Sequence, residues 1–421
     1  MSSPRADRFP VGAAATIAEL ERDPHPLLAR LRAGEPVSWI PALDGWLVTR
    51  RDLAVAVMRD AETFTVDDPR FSTARVVGPS MLSLDGPAHA RHRTPFADRF
   101  RPRDVETRLA AFIEQEAARL VGGLRPAGAA ELRRGLAGPL AVAVVAESLG
   151  LLGTDPATVL GWYDAIVGAV SDISAGLEPR PSGAEAFARL AESVHATVQS
   201  GDPDALLVAA ATAGASGAIG GAGTSGAAGA AASAAQRAFA AALELPEVVS
   251  NAAVLMFGGI ETTEAMIANA ALHLLSHPDQ LALVRADPAL VADAVEESVR
   301  LEPAAAVVDR YATRDVELAG ASISAGDLVT VSIAGANRDP ALFTEPDRFE
   351  LRRPNARLNL AFAQGPHFCL GAHAARLETR VAISTLLREL PDVRLDPDRP
   401  AAAPRGLVFR KPESLYVRWD D

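Results

Sequence analysis

The chain has 421 residues, 49% hydrophobic and 22% charged, with a formal net charge of −12. This is a globular composition with material for a large core, and its acidity argues against binding nucleic acid or anionic membranes through the surface as a whole. One cysteine excludes an internal disulfide, so the redox compartment cannot be read from bridges; the polar residues 1–7 lack a signal-peptide core or membrane span, which makes a soluble, cytoplasmic protein the starting expectation, and a monomer is expected as well.

Asp23-Pro24-His25-Pro26 sets a turn ahead of a short helix over 27–31. Residues 37–40 and 46–49 flank a turn-rich stretch and read as a β-hairpin, and 51–58 as a helix. Residues 66–82, with Pro69, Gly78 and Pro79, read as irregular. Pro87 suits a first helical turn, after which His89 and Arg93 fall at i and i+4 on one face. Taken alone, that face reads as solvated and basic. An amphipathic helix follows over 105–121, with Leu109, Phe112, Ile113 and Leu120 on one side. Helical patterns continue over 128–171 and 183–199. Nineteen of the 25 residues 211–235 are Ala or Gly and none is charged, which reads as a low-complexity connection inside one domain spanning 1–421.

Residues 246–277 are the longest uninterrupted apolar stretch and contain Phe257-Gly258-Gly259-Ile260-Glu261-Thr262-Thr263. Each glycine inside a helix costs about 1 kcal/mol relative to alanine, so space for a ligand or close helix packing must require them. An acid beside an alcohol in an apolar helix can relay protons. The alternative is an exposed glutamate and a threonine bonded back to its own helix. Glu297 and Arg300, at i and i+3, can pair. Residues 303–308 are apolar and lead to Asp309-Arg310, followed by β patterns over 316–318 and 328–333 and a strand-like end over 415–419.

The lone Cys369 lies in Phe362-Ala363-Gln364-Gly365-Pro366-His367-Phe368-Cys369-Leu370-Gly371, just ahead of a helical pattern over 372–390. There, backbone N–H groups and the helix dipole favour a thiolate. A free cysteine is more often a small buried hydrophobe, but packing alone does not need this Phe-x-x-Gly-x-His-x-Cys-x-Gly spacing. His367, Cys369 and His373 fall short of the four ligands usual in structural zinc sites.

The loop resembles the haem-binding loop of the cytochrome P-450 superfamily, at Phe362, Gly365, His367, Cys369 and Gly371 and on into Arg376-Leu377-Glu378. Ala363 departs from the family's usual glycine, and His373 from the proline usual in bacterial members. Gly258-Gly259-Ile260-Glu261-Thr262 is similar to the family's Ala-Gly-x-Asp/Glu-Thr segment, and Glu297-x-x-Arg300 to its Glu-x-x-Arg pair, for which Arg353 is the expected third partner, with Arg352 close behind. The resemblance covers residues 23–419.

It implies a mainly α fold with small β-sheets and haem b between the long central helix and the Cys-loop helix. Cys369 would be the axial iron ligand. His89, Arg93, Arg310 and His367 would bind propionates, with Phe362, Gly371 and Gly258 also against the cofactor. Thr262 and Glu261 would be the catalytic pair that delivers protons. Val254, Phe257, Ala304, Ala305 and Val307, with loops 66–82 and 410–414, would line the substrate pocket. The implied reaction is monooxygenation, first of all hydroxylation, of a small, largely apolar molecule in secondary metabolism or catabolism. Oxidative coupling, ring closure or nitration is the alternative, and a non-catalytic haem or gas-binding protein a further one. No flavin or iron–sulfur motif is present, so a ferredoxin and its reductase would supply electrons. Arg91, Arg93, Arg99, Arg101 and Arg103, and Arg348, Arg352, Arg353 and Arg357, read either as docking faces or as ordinary solvated arginines.

Overall fold

The computed structural model describes residues 4–151, 154–174, 177–201, 205–216 and 242–420. The chain divides into two units, one formed by Met1–Thr65, Ala110–Ala141 and Glu261–Asp421, the other by Val66–Leu109 and Val142–Ile260. The architecture is mainly α with small β-sheets, and every described strand belongs to the first unit.

Five strands form the main sheet: β1 (Val37–Ile40), β2 (Gly45–Val48), β3 (Phe64–Thr65), β4 (Val307–Ala312) and β5 (Leu328–Ser332), in the order β1-β2-β5-β4-β3. The hairpin forms as its sequence suggests, with Trp39 opposite Trp46 and Asp44 at φ 48° closing the turn. β2 runs parallel to β5, and β4 antiparallel to it. Val37, Trp46, Val48, Val329 and Val331 are buried in one cluster, and Phe9 and Trp39 meet the Trp46 ring edge-on.

Four helices carry the residues of interest: α1 (Gly86–Ala97), α2 (Leu245–Ser276), α3 (Val291–Leu301) and α4 (Ala372–Glu389). Three readings change. Ala129–Glu131, expected to be helical, is a strand paired with Tyr416–Arg418, because cross-strand pairing outweighs alanine's helix preference. Val307–Ala312 is a full strand rather than an apolar lead-in. Residues 66–82 contain a short helix, Ser72–Val77. Of the Ala/Gly-rich stretch, residues 211–216 close the helix Leu206–Ser216 and the remainder lies outside the described residues. No helix among the described residues is long and apolar enough to cross a membrane.

α3 is buried from Ala294 to Leu301, charged residues included. Arg300 donates to Glu297 from Nε at 2.7 Å and Nη2 at 2.8 Å, and Arg353 donates from Nε at 2.9 Å. The other guanidinium hydrogens satisfy main-chain carbonyls: Asn337, Pro346 and Arg348 from Arg300, and Thr344, Glu345 and Arg348 from Arg353. Arg353 is therefore spent inside the fold and is not part of a solvated cluster; Arg352 beside it is exposed. Arg91 is likewise half-buried and paired with Glu247 of α2.

Just past α3, buried Glu302 accepts from Arg410 Nε at 2.6 Å and pairs with His25 Nε2 at 2.9 Å. Burial alone would raise this carboxyl, but the hydrogen bond from His25 and the charges of His25, Arg410 and Arg338 outweigh it and hold its pKa at about 2. His273 of α2 is fully buried, bonded to Ser298 Oγ at 2.9 Å, and its pKa is lowered to about 3, burial being the main cause. Each group binds fewer protons folded than unfolded, His273 between 6.5 and about 3 and Glu302 between 4.5 and about 2. Their stabilising effect is therefore lost as pH falls through these windows. In urea unfolding this loss is read against variants, because the raised carboxyls of buried Glu378 and Asp309 contribute the opposite slope. Glu302→Gln should lose about 3–5 kcal/mol near neutrality, where it breaks a buried pair, and be less sensitive to pH below about 4.5. An unchanged acid profile in that variant would contradict this assignment.

Candidate active site

The loop around Cys369 is built by short backbone bonds. Cys369 N–H donates to the Phe362 carbonyl at 2.8 Å, and Phe368 N–H to the Gly365 carbonyl at 3.1 Å. Gly365 sits at φ 75°, and a Cβ there would lie 2.5 Å from the Met58 carbonyl oxygen, so backbone conformation and close approach both require glycine. Ala363, at φ 58°, takes the left-handed conformation without glycine's freedom, at a cost of about 1–2 kcal/mol. Phe362 is buried beneath the Arg376 guanidinium, 4.1 Å from the ring centroid, and Arg376 also pairs with Glu296 of α3. α4 starts at Ala372 with Gly371 as its N-cap, so the thiol stands just ahead of a helix N-terminus. Cys369 is exposed, as are Gly365, Pro366 and Phe368. Free cysteines that serve only packing are usually buried, so the packing reading does not describe this one.

α2 is buried on most sides, but Gly258 is exposed and Phe257, Glu261 and Thr262 are half-buried, interspersed with buried Met256, Ile260 and Thr263. Positions 254, 258, 261 and 262 recur at helical spacing along one face. The two glycines have different causes. A Cβ at Gly259 would stand 2.5 Å from Val145 Cγ2, which is close helix packing. A Cβ at Gly258 would meet nothing within 4 Å, which leaves space beside the Glu261-Thr262 pair.

The other expected residues are distributed as follows. Arg310 is buried on β4 and donates from Nη1 to the Asp309 carbonyl at 2.7 Å. Burial raises the Asp309 carboxyl, which accepts from Thr330 Oγ1 at 2.7 Å. His367 closes the turn before Phe368. Ala304 is buried, Val307 is half-buried, and Ala305 bridges to Phe409. In the other unit, α1 carries buried His89 and half-buried Arg93 one turn apart, and Val254 and half-buried Phe257 lie on α2. Arg410, the first residue of the expected substrate-facing loop 410–414, has its side chain buried on Glu302.

One functional neighbour escaped the sequence reading. Lys411 Nζ lies 2.7 Å from Glu261 Oε1 and 2.5 Å from Glu264 Oε2. The available signal was compositional, since Lys411 is the only lysine in the chain.

An accessible thiol at a helix N-terminus and a buried arginine on β4, both in the first unit, fit a thiolate-ligated haem, with Cys369 offering the soft anionic ligand. The glycine assignments are testable by thermal melts. Gly258→Ala should gain about 1 kcal/mol from helix propensity. Gly259→Ala should be less stable than Gly258→Ala, because overpacking against the stiff Val145 costs about 1–3 kcal/mol. The reverse order would refute the distinction.

Comparison with known proteins identifies the family. The family model described as Cytochrome P450 matches residues 231–416. The cytochrome P450 monooxygenase PikC of Streptomyces venezuelae is 34% identical over 410 residues, covering 94% of this chain and 91% of that protein. The vitamin D(3) 25-hydroxylase of Pseudonocardia autotrophica is 32% identical, covering 94% and 92% respectively. The crystal structure of the myxobacterial cytochrome P450 CYP267B1 in complex with myristic acid matches with a TM-score of 0.80 at 29% identity, covering 96% of this chain and 98% of that one. The chain belongs to the cytochrome P450 family, and it is a haem-binding monooxygenase that oxidises a small organic molecule.

Proposed function

We propose that Cys369 is the axial thiolate of a haem b and that Thr262 and Glu261 deliver the protons of oxygen activation in the hydroxylation of a small, largely apolar molecule. The observation that carries this is the exposed Cys369, presented by a glycine-built loop just ahead of α4. When bound, the haem supplies dioxygen reduction with thiolate support. The balance is RH + O2 + two electrons + two protons giving ROH + H2O, so two protons must be brought in. The Thr262 hydroxyl and Glu261 carboxyl hold and move them.

Arg310 and His367, together with His89 and Arg93, hold the propionates by charge-assisted hydrogen bonds. Phe362, Gly371 and Gly258 would be the further residues that hold the haem. Val254, Phe257, Ala304, Ala305 and Val307 would be the substrate contacts, and their apolar character suits a neutral or fatty substrate. The similarity to a vitamin D(3) hydroxylase and to a structure containing myristic acid supports that class. Electrons come from a ferredoxin and its reductase, with exposed Arg348, Arg352 and Arg357 as the acidic partner's docking residues. In this proposal the whole chain, 1–421, works as one monomeric, cytoplasmic cytochrome P450 domain.

Reduced, CO-bound protein should show the Soret band of thiolate ligation, and Cys369→Ser should lose it. A histidine-type spectrum in the unmodified protein would refute the ligand assignment. With a substrate found by Soret shift, starting from vitamin D3 and myristic acid, Thr262→Ala should keep consuming NADPH while product yield falls and hydrogen peroxide accumulates. Tight coupling in that variant would count against the proton role of Thr262.

A further inference from the structure

We propose that Lys411 is the positioning residue for Glu261: its ammonium, shared between Glu261 and Glu264, sets the orientation from which Glu261 moves protons. The inference rests on the proton-delivery role proposed for Glu261 and names what governs it.

The chain has 41 basic residues, and 40 of them are arginine. The single lysine stands where two carboxylates one turn apart on α2 converge, 2.7 Å from Glu261 and 2.5 Å from Glu264. The chemistry of the two cations differs. A guanidinium is a planar fork of fixed geometry, whereas an ammonium is a compact charge whose three rotatable donors can turn toward two carboxylates. Arginine fills the other role in the same cluster: Arg133 Nε binds Glu264 at 2.6 Å, and its Nη1 donates to the Glu413 carbonyl at 2.7 Å.

Arg133 is the most exposed member of the cluster. The Arg133 side chain is 25% exposed, against 14%, 11% and 13% for Lys411, Glu264 and Glu261. Screening by water is therefore weak at the lysine, and its attraction for both carboxylates is strong.

The backbone of Lys411 is fixed by its neighbour. Arg410 N–H donates to the Ala304 carbonyl at 2.9 Å, and its carbonyl accepts from Asn269 Nδ2 of α2 at 2.9 Å. The Arg410 guanidinium binds Glu302 and the carbonyls of Glu21, Gly406 and Pro404. Lys411 is thus held in register with the helix that bears Glu261. When the Glu261 carboxyl swings away to pass a proton, the ammonium keeps Glu264, and Glu264 keeps Arg133. The ammonium and Glu264 are not stranded, so the swing leaves no unpaired cation behind it.

The test has two arms, both on the full-length protein. Lysine labelled with 13C at Cε gives one side-chain resonance from this chain. Glu261→Gln and Glu264→Gln should each shift it, while Glu247→Gln, elsewhere on α2, should not. A resonance unmoved by Glu261→Gln overturns the proposal. In the second arm, NADPH consumption by the haem-loaded enzyme is measured without added substrate, with saturating plant-type ferredoxin and its reductase, in H2O and D2O. Lys411→Met should slow it roughly ten-fold, a share of the 10²–10⁴ that a placed proton-transfer group contributes, and raise the solvent isotope effect. Because both residues act in one step, Lys411→Met/Glu261→Gln should be no slower than Glu261→Gln alone. Lys411→Arg keeps the charge and should fall between wild type and Lys411→Met; it carries the comparison if the methionine variant does not fold. Multiplicative effects in the double variant, or wild-type behaviour in both lysine variants, overturn the inference. If Glu261→Gln is slow while the lysine variants are not, only the Lys411 inference fails. If Glu261→Gln itself leaves rate and isotope effect unchanged, the proton role of Glu261 fails and takes that of Lys411 with it.

Discussion

The Glu297 carboxylate is completely buried, and its charge is tolerable there because two guanidiniums close on it. Much of the first unit follows from that pairing. Once paired, Arg300 and Arg353 turn their remaining hydrogens toward five carbonyls between Asn337 and Arg348. That segment is largely irregular, and without these donors its backbone would be short of partners. Asn337 then accepts from Leu360 N–H at 2.6 Å, two residues before Phe362. Glu296, the residue before Glu297 on α3, pairs with Arg376 on α4. The loop presenting Cys369 is thus held at both ends by residues that answer to one helix. Such an arrangement favours a unique geometry more than raw stability, since buried ion pairs can often be replaced by apolar contacts at little cost.

α2 supplies a different kind of precision. Val254, Phe257, Gly258, Glu261 and Thr262 are spaced along a single continuous helix. Their mutual register is set by helix geometry and does not depend on loops. Small residues are affordable there for separate reasons: Gly259 admits Val145, and Gly258 leaves space. The acid of the pair is tied by Lys411 to a segment whose backbone, at Arg410, is bonded back to α2 through Asn269.

What was legible in the sequence was what is local. The glycine spacing around Cys369, the length of α2, the hairpin at 37–48 and the i, i+3 pair of Glu297 and Arg300 all depend on residues a few positions apart. What escaped depends on distant pairing. Ala129–Glu131 becomes a strand because Tyr416–Arg418 lies beside it. The Glu261–Lys411 contact joins residues 150 positions apart in the chain. Arginine clusters that look uniform in sequence separate in the fold: Arg353 is enclosed by Glu297 and Arg91 is paired with Glu247, while Arg348, Arg352 and Arg357 are exposed. The choice between ligand space and helix packing at the two glycines could not be made from composition, because it depends on whether Val145 stands opposite.

Ala363 holds a left-handed backbone at the entrance to the Cys369 loop, where glycine would be unstrained. In the genetic code, alanine and glycine codons differ at one position, the second base. Relief of this strain is therefore a single nucleotide substitution away, offset in part by glycine's greater freedom in the unfolded chain. A lineage carrying this protein holds a small reserve of stability that one mutation can draw on, at a position that leaves every proposed ligand side chain in place.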